Sequence, residues 1–399
     1  MKYKNAGEIL PEELVRQLQN YVQGEYVYIP KTTENRQKWG ANTNHKREMI
    51  LRNERIFEKY LEGESVDQIA KMFNLSPRSI RRIIGGQNEL DRKNNEFIKS
   101  LIESNWNISG QVQHIYTTAW QMETEGTEVK GYVLKEYTQL VELTRNLELL
   151  KQLEENNVPV AEVIRSVDGK EYIESNDKLY LLCSKLKGSN IVDTAACGDE
   201  WFYNMGKTIA NLHTAFRKCQ RHIECWHNSL LGEMKSWIRE KLEHDNWNII
   251  SKNEYEDALA ELELGYDKLP VQLIHRDVHL GNFLFDHNQF SGYLDFDLSQ
   301  INIRIFDICY FLLGLLLEDT YKIDEDKWFR IAGCVVSGYN DVEKLHVIES
   351  EKICCVMKCI EILFAAWFIG EGDYEQAEAA ARIFKFLRKY EQELKWKII

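Results

Sequence analysis

Short apolar runs broken by turn residues mark the second half of the chain. Val271 to Ile274, Phe283 to Phe285 and Ser291 to Leu294 each read as a strand, with a turn at Asp286 to Asn288 between the last two. Earlier, Trp120 to Thr124 and Gly131 to Tyr137 flank a turn at Glu125 to Thr127 and predict a hairpin, and Leu179 to Leu182 predicts a further strand. Thr144 to Glu155, Trp201 to Phe216 and Ile308 to Leu317 read as helices. The longest apolar runs, Cys309 to Leu317 (broken by Gly314) and Ile362 to Ile369, fall short of the roughly 18 residues of a membrane span and predict buried helices.

The first 90 residues pattern differently. Leu10 to Val22 reads as an amphipathic helix, Tyr26 to Ile29 as a short strand ended by Pro30, and Arg47 to Leu61 as a helix. Val66 to Phe73 then predicts a short helix in which Ala70 admits a close neighbour. Asn74 takes the tight turn and Leu75 plugs the corner. Ser76 caps the next helix, with Pro77 at its first position, where a missing N–H costs nothing. Ile80 and Ile83 face inward, and Arg78, Arg81 and Arg82 face outward. This is a helix-turn-helix pattern with a basic face for DNA, although Arg81 and Arg82 equally suit phosphate contacts that carry no sequence choice. The bland reading is a small helical hairpin with a solvated basic surface. Gly85-Gly86-Gln87-Asn88 reads as the hinge between this module and the rest of the chain.

Composition sharpens the division. At 399 residues the chain predicts two or three domains, and 44% hydrophobic residues suffice for a large core. The net charge of −13 is uneven: Met1 to Asn95 carries 17 basic and 13 acidic residues, leaving 33 basic and 50 acidic in the remainder. Nine cysteines lie scattered without C-x-x-C spacing. Cys354, Cys355 and Cys359, in one helical stretch, read as packing residues. Met1 to Asn5 opens without the apolar core of a signal peptide, so a cytoplasmic protein with no membrane association is expected.

The chemistry lies in Ile274-His275-Arg276-Asp277-Val278-His279-Leu280-Gly281-Asn282, followed by Leu294-Asp295-Phe296-Asp297. The pattern H-R-D-x-x-x-x-N sets an acid and an amide five residues apart on one loop. Asp277 would face an acceptor hydroxyl, while Asn282 and Asp295 would hold magnesium beside a transferring phosphate. Phosphoryl transfer needs such a set because the protein's part is positioning and charge neutralisation.

The string HRDVHLGNFLFD…GYLDFD…FDICYFL resembles the aminoglycoside/homoserine/choline kinase superfamily from about Asn94 to the C-terminus. Protein kinases share the first loop but lack the second histidine, His279, and the short gap to Asp295. The resemblance implies an α+β, bilobal protein-kinase-like fold, with a small β-rich N-lobe over 94–187 and a larger helical C-lobe over 188–399. It also implies ATP and Mg2+ as cofactors and a small-molecule hydroxyl as acceptor. Lys135 would reach the nucleotide phosphates, and Ser184 and Leu186 would lie at the hinge that meets adenine. Asn146 stands where the family carries the glutamate that pairs with this lysine, with Glu142 one turn earlier as a substitute. The segment His114 to Thr118, over the nucleotide, lacks glycines. His213 and His275 read as structural, and Asp307 as a helix cap that fixes the loop.

Residues 1–86, through NAGEILPEEL, YVQGEYVYIPK and the helix-turn-helix, resemble the Mor (middle operon regulator) transcription activators and their small bacterial relatives. That resemblance implies DNA binding and a homodimer formed through the upstream helix and strand. Two functions are therefore expected: a small-molecule kinase fused to a DNA-binding module, or a one-component transcription regulator whose kinase-like domain senses a nucleotide or metabolite with little turnover.

Overall fold

The computed structural model describes residues 52–398, apart from 54, 58, 61–62, 74, 117, 126–128, 192–193, 195 and 318–324. The predicted helix and strand within residues 10–29 and the turn residue Asn74 lie outside the described residues. The chain divides into two compact units, Met1–Arg92 and Lys93–Ile399.

In the first unit, helix α1 (Val66–Met72) begins at a reciprocal cap: the Ser65 hydroxyl accepts from the Gln68 amide, and the Gln68 side chain accepts from the Ser65 amide. Helix α2 (Pro77–Trp106) comes next, its first turn held by the Ser79 amide donating to the Ser76 hydroxyl at 3.1 Å. Ile56, Ile69, Ala70, Ile80 and Ile84 form a small core, with Leu75 and Ile83 packed against it. Arg78, Arg81 and Arg82 are exposed. Gly85 and Gly86, expected as a hinge, lie inside α2 instead. Glycine costs a helix only about 1 kcal/mol relative to alanine, and the same helix runs on to Ile98, Leu101, Ile102 and Trp106, which are buried in a core.

The second unit takes in the end of α2, from Lys93 to Trp106, and continues with a five-stranded antiparallel sheet in the order β1-β2-β3-β5-β4. Its strands are β1 (Gly110–Tyr116), β2 (Ala119–Thr124), β3 (Gly131–Tyr137), β4 (Ile173–Ser175) and β5 (Lys178–Ser184). Alternation sorts the two faces. Trp120, Met122, Leu134, Tyr180 and Leu182 pack on Ile98, Leu101, Ile102 and Trp106 from the end of α2, and the Trp106 indole donates to the Ile164 carbonyl at 2.8 Å. On the other face, Tyr137, Leu181 and Cys183 join Leu143, Leu147 and Leu150 of helix α3 (Leu140–Glu155) in the main core. Lys135 pairs with Leu181 across β3 and β5, so its side chain leaves the sheet on this second face.

Beyond β5 the chain is mainly helical, with α4 (Asp199–Cys219), α5 (Lys252–Glu263), α6 (Ile305–Leu317), α7 (Glu325–Val342), α8 (Val347–Glu371), α9 (Tyr374–Lys389) and α10 (Glu391–Ile398). Two short antiparallel pairs interrupt the helices: β6 (Val271–Ile274) with β9 (Gln300–Ile303), and β7 (Phe283–Asp286) with β8 (Gln289–Tyr293). His287 and Asn288 turn the second pair with φ of 50° and 62°, the left-handed geometry that a two-residue hairpin needs. Helix α8 is long and apolar enough by composition to cross a membrane, but most of it is buried among the other helices of this unit.

Helices α4 and α7 meet at backbone contact. A Cβ on Gly206 would fall on the Val335 carbonyl oxygen, and one on Gly338 would fall on the Tyr203 carbonyl oxygen. Each glycine therefore makes room for the other helix. Gly206→Ala is expected to lower stability by about 1–3 kcal/mol, the usual cost of overpacking, read as a fall in the thermal or urea midpoint. An unchanged midpoint would mean that the two helices part without cost.

Candidate active site

Strand β6 ends at Ile274 and releases the catalytic loop into a tight bend, with Arg276 at φ 77°. One buried carboxylate holds that bend. Asp307 accepts the amide of His275 at 2.8 Å and that of Arg276 at 2.9 Å, and its Oδ2 also meets His213 Nε2 at 2.9 Å. Asp307 lies inside the first turn of α6, so it does not cap its own helix as expected but ties a neighbouring loop to it. Arg276 turns away from the site: its guanidinium meets both Glu233 oxygens at 3.0 and 3.1 Å and stacks on Phe306. His275 bonds the Leu294 carbonyl at 2.9 Å and so joins the two motif segments.

Asp277 emerges from this support with three partners. Asn282 Nδ2 donates to its Oδ2 at 3.0 Å, and Tyr310, on α6 one turn beyond Asp307, donates to its Oδ1 at 2.6 Å. His279 Nε2 stands 3.5 Å from Oδ2. Burial raises the Asp277 carboxyl, but the His279 and Tyr310 contacts outweigh it and bring the group down to about 2. Asp277 is therefore a stable carboxylate. Asn190 fastens the rest of the loop, donating to the carbonyls of Gly281 at 2.6 Å and Phe283 at 3.0 Å.

Opposite, Lys135 reaches across from β3. Its Nζ donates to Asp295 Oδ1 and to Asp297 Oδ2, each at 2.9 Å. Burial lowers the lysine, but the negative charge of Asp297, and then of Asp295, more than restores it and holds the ammonium form. Asp295 takes φ 59°, and Lys135 pulls its carboxyl below the usual range against the effect of burial. Asp297 Oδ1 accepts from the Tyr137 hydroxyl at 2.9 Å and from Asn146 Nδ2 at 2.6 Å. Glu142, the expected substitute for the missing glutamate, is exposed and makes no ion pair with Lys135, because α3 turns residue 146, not 142, into the cluster.

The arrangement suits a hard cation. Asn282 has committed its amide nitrogen to Asp277, which leaves its carbonyl oxygen, and Asp295 contributes a carboxylate. Oxygen ligands, few in number and supplemented by phosphates and water, are what Mg2+ takes. At the end of β5, the Ser184 amide donates to the Glu162 carbonyl at 2.8 Å and the Ser184 hydroxyl accepts from the Glu162 amide at 2.9 Å. Tyr137, Asp297, Asn190 and Tyr310 were missed from the sequence. The second acid of D-F-D and the i,i+3 spacing of Asp307 and Tyr310 were the available signals.

A β-sheet lobe, a helical lobe and this cluster of side chains define a kinase-like fold. The phosphotransferase enzyme family (APH) matches residues 117–334, more than half of the chain, and the chain belongs to that family. Homoserine kinases from Polaromonas naphthalenivorans (strain CJ2) and Zymomonas mobilis are 25% and 27% identical over 223 and 229 residues, 53% and 54% of this chain. The match spans 66% of each of those kinases. A Bacillus subtilis (strain 168) protein, the uncharacterized YraL, is 37% identical over 84 residues, 21% of this chain and 97% of its own length. Among solved structures, an amicoumacin kinase bound to AMP-PNP and Ca2+ superposes with a TM-score of 0.57 at 16% identity, covering 76% of this chain and 93% of its own. A choline kinase from Cryptosporidium parvum gives 0.53 at 16% identity, covering 75% and 96%. These likenesses show the fold.

Close to the cleft, Glu361 of α8 is fully buried, and neither carboxyl oxygen has a hydrogen-bond partner among the described residues. Burial pushes this group well above its ordinary 4.5. Its folded pKa thus exceeds its unfolded one, so its stabilising contribution is complete below about 4.5 and is lost as pH rises toward the folded value. Glu361→Met is expected to raise stability at neutral pH by about 1–3 kcal/mol and to flatten the decline above pH 4.5, read from melting curves between pH 4.5 and 8. Equal curves for the two proteins would mean that the carboxyl is solvated.

Proposed function

We propose that the kinase-like body transfers the γ-phosphate of ATP to a hydroxyl of a small molecule with Mg2+, as an alcohol-accepting phosphotransferase. The observation that carries this reading is the joining of Lys135 with Asp295 and of Asn282 with Asp277, linked by the Leu294 amide donating to the Asn282 backbone carbonyl at 2.9 Å, in a chain of the phosphotransferase family. Ser184 has spent its amide and hydroxyl on Glu162, so adenine contact falls to its carbonyl and to the backbone of Leu186. Magnesium, held by Asn282 and Asp295, would neutralise polyphosphate charge. Lys135 would steady the same phosphates.

Asp277 receives the acceptor hydroxyl. A carboxylate held down near 2 is a weak base, so its part is to fix the direction of the attacking oxygen and to take the proton late, when the bond to phosphorus has largely formed. Tyr310 and Asn282 keep that carboxylate aimed.

Asp277→Asn should lower turnover by about 10²-fold or more while nucleotide affinity stays within a few-fold, and affinity in either protein should require magnesium. A panel of homoserine, choline, amino sugars and simple sugars, with calorimetry in magnesium and in chelator, is the measurement. Loss of nucleotide affinity in the variant would make Asp277 a ligand or support residue, and absence of turnover and of nucleotide binding would remove the kinase reading.

The first unit we propose to bind DNA through Arg78, Arg81 and Arg82, which are exposed on a helix anchored by Ile80. A single three-helix unit makes few contacts, so a homodimer reading two half-sites is expected. The full-length protein should shift genomic fragments in a gel, with affinity falling steeply as salt rises, and replacing the three arginines by alanine should abolish the shift. No shift at low salt would leave this unit a protein-docking module.

A further inference from the structure

The lysine of this fold needs a carboxylate to aim it, yet helix α3 offers Asn146, whose side chain cannot supply the charge. Two acids of the D-F-D segment stand at 2.9 Å from Lys135 instead. They are not equivalent. Asp295 is held to the lysine through Oδ1, whereas Asp297 is also fixed on its far oxygen by Tyr137 at 2.9 Å and Asn146 at 2.6 Å. Asn146 Nδ2 also approaches the Tyr137 hydroxyl at 2.5 Å, so Asn146, Tyr137 and Asp297 form one closed cluster. The amide orientation follows from this contact, because only the nitrogen can donate to a carboxylate. Asn146 is buried and Tyr137 nearly so, which makes the cluster rigid. A glutamate at 146 would set two carboxylates against each other at hydrogen-bond distance. Asparagine there and aspartate at 297 are thus two halves of one change: the anchoring charge sits on the metal loop and the helix provides its brace.

We propose that Asp297 is the positioning residue that orients Lys135 toward the nucleotide phosphates, taking the place of a helix glutamate, with Asn146 and Tyr137 holding its carboxylate. This rests on the kinase reading above. When Asp295 turns to a cation, Asp297 is the acid that stays with the lysine, so Lys135 remains aimed while the loop is loaded.

The test is a set of variants of the full-length protein, with MgADP and MgATP affinity read by calorimetry and kcat and KM followed for any acceptor found. Asp297→Asn should weaken nucleotide affinity about tenfold or more, the order that one hydrogen bond to a charged group contributes. In a Lys135→Ala background the same change should add almost nothing, since Asp297 acts through the lysine. Asn146→Glu alone should also weaken binding, and the pair Asn146→Glu with Asp297→Asn, which moves the charge back to the helix, should recover most of the loss. If Asp297→Asn fails to melt cooperatively, Tyr137→Phe takes its place, with a smaller loss that likewise vanishes without the lysine. Unchanged affinity in Asp297→Asn, or in its Tyr137→Phe replacement, would overturn the proposal. So would losses that add in the Lys135→Ala background, which would make Asp297 a cation ligand, or a charge-swapped pair no better than the worse single variant. Wild-type protein that binds nucleotide beside such results sinks this inference alone. Wild-type protein that binds none sinks the kinase reading and this inference with it.

Discussion

The catalytic loop hangs on Asp307. Its buried carboxylate accepts two consecutive backbone amides, His275 and Arg276, and a histidine from another helix, so one side chain joins β6, α4 and α6. Without an acceptor those amides would be buried and unsatisfied, at about 1–3 kcal/mol each. The bend at Arg276, the aim of Asp277 and the contact between Tyr310 and Asp277 all lie within a few residues of that anchor. His213 extends the support through Tyr339 to α7, the helix that meets α4 at the paired glycines. Rigidity at the loop is thus drawn from the deepest packing in the helical lobe.

Charge balance organises the opposite wall. A lysine and two aspartates meet there, both carboxylates open to solvent and each 2.9 Å from the ammonium. One excess negative charge remains once Lys135 is counted, and a divalent cation with polyphosphate is the kind of load that accommodates it.

The sheet strands, the H-R-D loop and the positions of Asn282 and Asp295 were legible because they depend on local signals: alternation, turn residues and an ordered motif. Val271–Ile274 matches the predicted strand without change, and α4 was found to within three residues at each end. What was not legible depends on where helices turn their faces. Glu142 and Asn146 share one helical stripe in the sequence, yet only 146 reaches the cluster. The role of Asp297 needs the third dimension, since its brace comes from 151 positions away. Gly85 and Gly86 misled in the opposite direction, because the packing of the same helix at Ile80 and Ile84 and again from Ile98 to Trp106 outweighs the local flexibility of two glycines. Gly206 and Gly338 gave no sign that each makes room for a carbonyl of the other helix.

Asp295 sits at φ 59°, a left-handed conformation that aspartate and asparagine tolerate and most other side chains resist. Position 295 is therefore restricted twice, once by the lysine its carboxylate meets and once by the backbone that presents it. A glutamate would keep the charge but meet the backbone penalty, and a glycine would relieve the backbone but remove the ligand. Only asparagine meets the conformational demand while leaving an oxygen in place, so a chain losing this carboxylate has one inexpensive exit at this position. An asparagine found here in a relative would be the mark of a protein that has kept the fold of the site after giving up its charge.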